Sequence, residues 1–322
     1  MKLALGAAIL LTMTMSASAA VKIEKVSYDG WPNCYRLSNG EVELVVTTDI
    51  GPRVMRYSFA GGQNVFAEFK EELGKSGEKK WMPRGGHRLW MGPEDAVLSY
   101  ALDNSPIEAK VGTDSITLTQ AVEPETGLQK EIIVKLAATG SGVEVTHHLK
   151  NVKGPARDVA PWALTMMAPG GAGITGFPPR GTHPRDLQPT NPLVMWAYTD
   201  LSDPRWVYTK KYLILKSDTK ATSPQKIGTF NANTWAAYLL GSDLFIKQTK
   251  ADATKHYPDM GCSFETFTNA VFQELETLGP VGRLTPGQTA AHVEHWSLHR
   301  NVKIPHWNDA TLDQVILPLL PK

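Results

Sequence analysis

The sequence predicts an all-β protein, a large antiparallel sandwich, and three observations carry that prediction. Runs of roughly four to eight β-branched and aromatic residues recur along most of the chain, bounded by clusters of Gly, Pro, Asn and Asp. Helical periodicity is sparse. The chain, at 322 residues, exceeds an immunoglobulin-type sandwich, yet no Ser/Gly linker or charge block divides it, so residues 20–322 read as a single domain.

In chain order, residues 1–19 come first, with one charge at Lys2, an apolar run over 3–11 and a closing Ala17-Ser18-Ala19. This is the pattern of a secretory signal cut before Ala20, in a run too short to span a bilayer. No cysteine follows the cut for lipid attachment, so an exported, periplasmic protein without a membrane anchor is expected. Strands are expected at 42–46, 54–59 and 64–69. Asn39-Gly40, set between Tyr35-Arg36-Leu37 and Val42-Glu43-Leu44, is a hairpin signal. Further strands are expected at 116–122, 128–137, 143–149, 212–216, 234–240 and 244–248. Residues 169–204 form a long Pro/Gly-rich loop, with a strand-like run only at 193–198. A turn is expected at 95–100, and a helix over 309–317 started by Asn308 or Asp309. Residues 265–296 read as two strands joined by a turn-rich connection, broken at Gly279-Pro280 and Pro286-Gly287. Alternate side chains of a strand share a face, so Glu274 and Glu276 point the same way, about 7 Å apart along the backbone.

Composition excludes several partner classes. Loss of the leader removes Lys2 and brings the formal net charge from +1 to 0, which favours neither nucleic acid nor an anionic membrane. Cys34 and Cys262 read as two buried thiols or as a disulfide, and their separation excludes a zinc-finger spacing. Gly171-Ala172-Gly173-Ile174-Thr175-Gly176 matches the dinucleotide fingerprint by letters, but Phe177-Pro178-Pro179 forbids the helix that must follow. His147 and His148 are strand neighbours and point to opposite faces. His292 and Glu294 share a face that His295 opposes, which reads as a cross-strand polar pair and not as a metal site.

The segment Gly85-Gly86-His87-Arg88-Leu89-Trp90-Met91-Gly92-Pro93-Glu94 packs a proton-transfer group, a guanidinium, an indole and a carboxylate into ten residues. Its glycines would let backbone approach a ligand closely. Sugars want this mixture, an aromatic face for their C–H surface and planar charged groups for hydroxyls. A structural turn around a buried tryptophan is the plainer alternative. On loops, Asp259 and Glu265 could hold hydroxyls, and His183 and His256 are histidines without a motif.

Leu275-Glu276-Thr277, followed by Leu284-Thr285-Pro286-Gly287 and a closing strand, is similar to the C-terminal end of the galactose mutarotase-like (aldose 1-epimerase-like) superfamily. A second resemblance, to an uncharacterised exported bacterial family within it, rests on the 85–90 segment, Pro93-Glu94 and the Glu276 region. The resemblance implies a β-supersandwich with a carbohydrate ligand on a concave sheet face. It also implies acid–base ring opening without metal or organic cofactor, with Glu276 as base and His87 at the ring oxygen. Arg53, Arg88, Trp90, Glu94, Trp162, Asp259, Glu265 and Glu274 are the expected sugar-binding residues. One departure stands out: the mutarotases' second histidine falls at Val159-Ala160-Pro161-Trp162-Ala163-Leu164, which has none. The mechanism therefore requires His87 and Glu276 to face one hollow; a glycan-binding protein without catalysis is the alternative, and hydrolysis through Glu274 and Glu276 a more distant one.

Overall fold

The computed structural model describes residues 20–320, so the expected leader lies outside the described residues. Two antiparallel sheets account for the architecture. The first runs, in spatial order, Lys22–Tyr28, Trp31–Ser38, Val42–Thr47, Arg53–Phe59, His87–Gly92, Arg157–Met167, Gln273–Leu278, Phe264–Thr268, Gln225–Thr229 and Leu193–Met195, with Gly282–Leu284 pairing the start of Arg157–Met167. The second runs Trp206–Tyr208, Tyr212–Lys216, Ala172–Gly176, Asn233–Leu240, Asp243–Lys250, Thr289–His299, Val143–Asn151, Leu128–Leu136, Ser115–Thr119 and Glu108–Val111.

Period-two alternation explains how they meet. Leu44, Val46, Leu89 and Leu275 of the first sheet pack against Ile132, Val134, Val145 and Phe245 of the second in one continuous core. Each such side chain contributes about 1.5–3 kcal/mol when fully buried. A smaller core backs the second sheet, where Leu312 and Ile316 pack on Ile174, Ile214 and Ile246. Those two residues come from the helix Asp309–Val315 and its C-cap; Asn308 is the N-cap, its side chain accepting from the Thr311 N–H at 2.9 Å. The Asn39-Gly40 hairpin forms as expected, with Gly40 at φ +88°.

Two expected strands shrink. Residues 64–69 make only isolated bridges, Phe66 to Met167 and Glu68 to Gly85. The Asn64 side chain accepts from the N–H groups of Tyr57 and Phe66, taking the place of a backbone ladder. Residues 193–198 contribute only Leu193–Met195, after which the chain turns so that the Thr199 hydroxyl accepts from the Trp196 N–H.

Both cysteines are buried and free. Burial pushes the Cys34 thiol up to about 11, and raises Cys262 further. Neither thiol is therefore expected to react with a thiol reagent in the native protein, while both react once it is unfolded without reductant. Fewer than two thiols under those conditions would overturn the free-cysteine assignment. Among the described residues no helix is long and apolar enough to cross a membrane.

Candidate functional site

Strand register builds the site. Arg88, Leu164, Glu276, Glu265 and Gly228 lie in one row across five neighbouring strands of the first sheet. Alternation places Arg88, Trp90, Trp162, Glu274, Glu276, Glu265 and Lys226 on the face turned away from the second sheet. Here the Trp162 indole N–H donates to Glu276 Oε2 at 2.9 Å, and the Lys226 ammonium lies 3.0 Å from that oxygen and 2.8 Å from Glu265 Oε2. The same ammonium sits over the rings of Trp162 and Trp196, 4.8 and 4.7 Å from their centroids. Arg88 donates to Glu274 Oε1 at 3.2 Å and stacks over Trp90 and Trp81.

This face gathers three carboxyls and two cations in a space hidden from solvent: Glu265 and Glu276 are 0% exposed and Glu274 8%. Burial raises Glu274 to about 7; Arg88 opposes the shift and the neighbouring Glu276 adds to it. Burial also holds Glu265 well above the usual carboxylate range, against the pull of Lys226. Lys226 feels the same burial, but Glu276 and Glu265 outweigh it and keep the ammonium strongly protonated. The set thus combines an acceptor tied to an ammonium and an indole with a carboxyl that exchanges its proton near neutrality, which is the pairing acid–base chemistry requires.

His87 is not part of it. As the strand neighbour of Arg88 it points to the opposite face, into the core between the sheets, so the expected meeting of His87 with Glu276 across one hollow does not occur. The residues it does meet form a buried polar cluster whose hydrogen bonds run in one direction. Lys247 donates to Thr165 Oγ1 at 2.9 Å, and the Thr165 hydroxyl donates to His87 Nδ1 at 2.9 Å. His87 Nε2–H donates to His147 Nε2 at 2.7 Å, and His147 Nδ1–H to the His292 carbonyl at 3.0 Å. Lys247 pairs with Glu294 at 2.6 Å; Glu294 also accepts from Thr277 and, at 2.7 Å, from the Trp296 indole. His292 and Glu294 are therefore more than a cross-strand pair. The donor atoms of His87, His147 and Glu294 lie within 4.8 Å of one another, a spacing a cation could use, but hydrogen bonds already engage them and Lys247 brings the positive charge to Glu294.

The cluster sets a pH dependence. Burial lowers His147 to about 4 and His292 to about 3 from an ordinary 6.5, so both stay neutral in the folded protein where the unfolded chain takes up protons. Their contribution is complete above pH 6.5 and is lost as pH falls toward 4 and below. Glu274 acts with the opposite sign, losing stability as pH rises from 4.5 to about 7. Urea unfolding at pH 7 and pH 5 is accordingly expected to show a larger acid loss in Glu274→Gln than in wild type; an equal or smaller loss would refute this balance.

Other expected site residues fall elsewhere. Arg53 is fully buried and structural, paired with Asp103 at 2.8 Å and donating to the carbonyls of Met82, Pro83 and Gly85. Glu94 is exposed and reaches the site only through Tyr100, whose hydroxyl donates to it at 2.6 Å. Asp259 is half-buried in a left-handed turn (φ 51°), near enough to Glu265 to raise its carboxyl. Gly85 and Gly86 serve the backbone and not a ligand: a Cβ at Gly85 would lie 2.0 Å from the Ala67 carbonyl oxygen, and one at Gly86 2.5 Å from that of Val54. Sequence reasoning missed Lys226, Lys247, Trp81 and Trp196. Lys247 left a trace, a charge in the alternate set headed by Phe245; Lys226, Trp81 and Trp196 left none, because contacts with other strands and with loop segments decide their role.

No family model matches the sequence, and no curated protein matches it. Solved structures do. A galactose mutarotase-like protein from Clostridium acetobutylicum shares 10% identity over 87% of this chain and 99% of its own, with a TM-score of 0.54. One from Lactobacillus casei shares 11% over 83% and 100%, at 0.53. A galactose mutarotase related enzyme from Lactobacillus acidophilus shares 10% over 83% and 98%, at 0.50. The chain has the galactose mutarotase-like fold, a β-supersandwich.

Proposed function

We propose that the protein, exported after loss of its leader, binds a sugar on the outer face of the first sheet and opens its ring by aldose 1-epimerase-like acid–base chemistry. The observation that carries this reading is the pair of carboxyls on one strand face, Glu276 held by Trp162 and Lys226, and Glu274 raised to about 7. Glu276 takes the anomeric hydroxyl proton, and Glu274 in its protonated form gives one to the ring oxygen, the part His87 cannot play. The open aldehyde turns about its C1–C2 bond, and closure reverses the two transfers. Trp90 and Trp162 offer aromatic surface to the ring, and Arg88, Lys226 and Glu265 bind its oxygens. The sheet supplies both transferring groups, so the step uses no cofactor.

A second reading, a sugar-binding protein without catalysis, is favoured by the contact that ties Glu276 to the Lys226 ammonium. Polarimetry on freshly dissolved aldoses decides between them. Ring opening predicts faster mutarotation that is lost in Glu276→Gln; saccharide binding by calorimetry without acceleration supports the second reading.

A further inference from the structure

We infer that the sugar carries a carboxylate, a hexuronic acid, and that Arg88 is its anchor. This rests on the carbohydrate reading above and names the substrate class. Arg88 is 3% exposed, and of its nitrogens only Nη2 has a partner, Glu274; Nε and Nη1 have none among the described residues. A guanidinium presents two edges, each a fork of two parallel N–H groups, with Nη2 shared between them. Glu274 occupies one, so the other fork is open whichever edge it takes. Stacking over Trp90 and Trp81, at 4.5 and 5.1 Å to the ring centroids, sets the plane of that fork. The Trp81 indole N–H also lacks a partner among the described residues, adding a further donor beside Arg88.

The far end of the row has the opposite character. Glu276 Oε1 and Glu265 Oε1 are buried acceptors with no hydrogen-bond partner among the described residues. Arg88 and Glu276 are two strands apart in register, about 10 Å between their Cα atoms, with Leu164 between them as floor. The unpartnered atoms are N–H donors at the Arg88 end and carboxyl oxygens at the other, which calls for a ligand with the reverse polarity, an acceptor-only group facing Arg88 and hydroxyl hydrogens facing Glu265 and Glu276. A hexuronate has that polarity, and its carboxylate fills a guanidinium fork bidentately. A neutral aldose would offer the fork a single hydroxyl and leave a buried donor unpaired. A protonated Glu274 beside Arg88 removes the charge that would repel the anion.

The test is calorimetry at pH 6.5 with galacturonate, glucuronate, methyl galacturonate ester, galactose and glucose. One of the two uronates is expected to bind wild type about 10- to 100-fold more tightly than the matching neutral aldose. If that uronate is galacturonate, the ester is weakened to the same degree. The preference is expected to fall toward unity in Arg88→Gln and to be restored only in part by Arg88→Lys, which keeps the charge without the fork. Should Arg88→Gln not fold, the uronate and aldose comparison on wild type still decides. Equal or weaker binding of both uronates, with neutral aldoses bound, overturns the acidic-sugar assignment and leaves ring opening standing. Failure of all five ligands to bind overturns the carbohydrate reading as well.

Discussion

Glu276→Gln is expected to lower the mutarotation rate about 10²–10⁴-fold, the loss that follows removal of one positioned proton-transfer group. The substitution keeps shape and one acceptor oxygen, so the Trp162 N–H retains a partner, and Lys226 still has Glu265 at 2.8 Å. No buried cation is stranded, and the variant is expected to fold. Glu274→Gln removes the donor and is expected to cost a similar factor. Because Glu274 must be protonated to act and burial places it at about 7, wild-type activity is expected to decline as pH rises through 7. Polarimetry across pH, normalised to folded protein by circular dichroism, reads all three. A Glu276→Gln protein that turns over at the wild-type rate would end the acid–base proposal.

The largest stability effect is expected from the ion pair between the sheets. Lys247→Met leaves the Glu294 carboxylate buried at 0% exposure without its ammonium, 2.6 Å away in the native protein. Breaking a buried pair from one side costs about 3–5 kcal/mol, because the remaining carboxylate keeps its hydrogen bonds from Thr277 and Trp296 but has lost its counter-ion. Glu294→Gln is expected to cost a similar amount by stranding Lys247. The double variant Lys247→Met/Glu294→Leu should recover much of the loss, since apolar replacements of similar volume avoid both desolvation penalties. Urea unfolding of the three variants gives the coupling. Single substitutions that each cost under about 1 kcal/mol would show that the pair is not the electrostatic centre of this core.

The first prediction concerns the outer face of the first sheet and the second an ion pair of the second sheet packed against its inner face, and choosing between those two faces is where the sequence was least informative. Strand positions near 42, 54, 128, 143 and 244, the Asn39-Gly40 hairpin and the C-terminal helix were all legible, because turn residues and two-residue alternation are local. Alternation also correctly put Glu274 and Glu276 together, since both sit on Gln273–Leu278. The same rule, applied to neighbours 87 and 88, separates His87 from Arg88. Which of the two would look outward could not be read from Gly85-Gly86-His87-Arg88-Leu89-Trp90, because all six residues of His87–Gly92 are buried and the strand has no polar side to mark.

By itself the sequence determined an all-β sandwich, the strand carrying Glu274 and Glu276, and the chemical ingredients near residue 88. Only the tertiary structure decided that Lys226 and Trp196 arrive beside Glu276, that Arg53 is structural, and that three histidines are spent on joining the sheets. The physical reason is that a strand's own letters encode its period but not its neighbours. Register with strands about a hundred residues away chose the partners, and the cost of burying charge then required each cation to find its carboxylate.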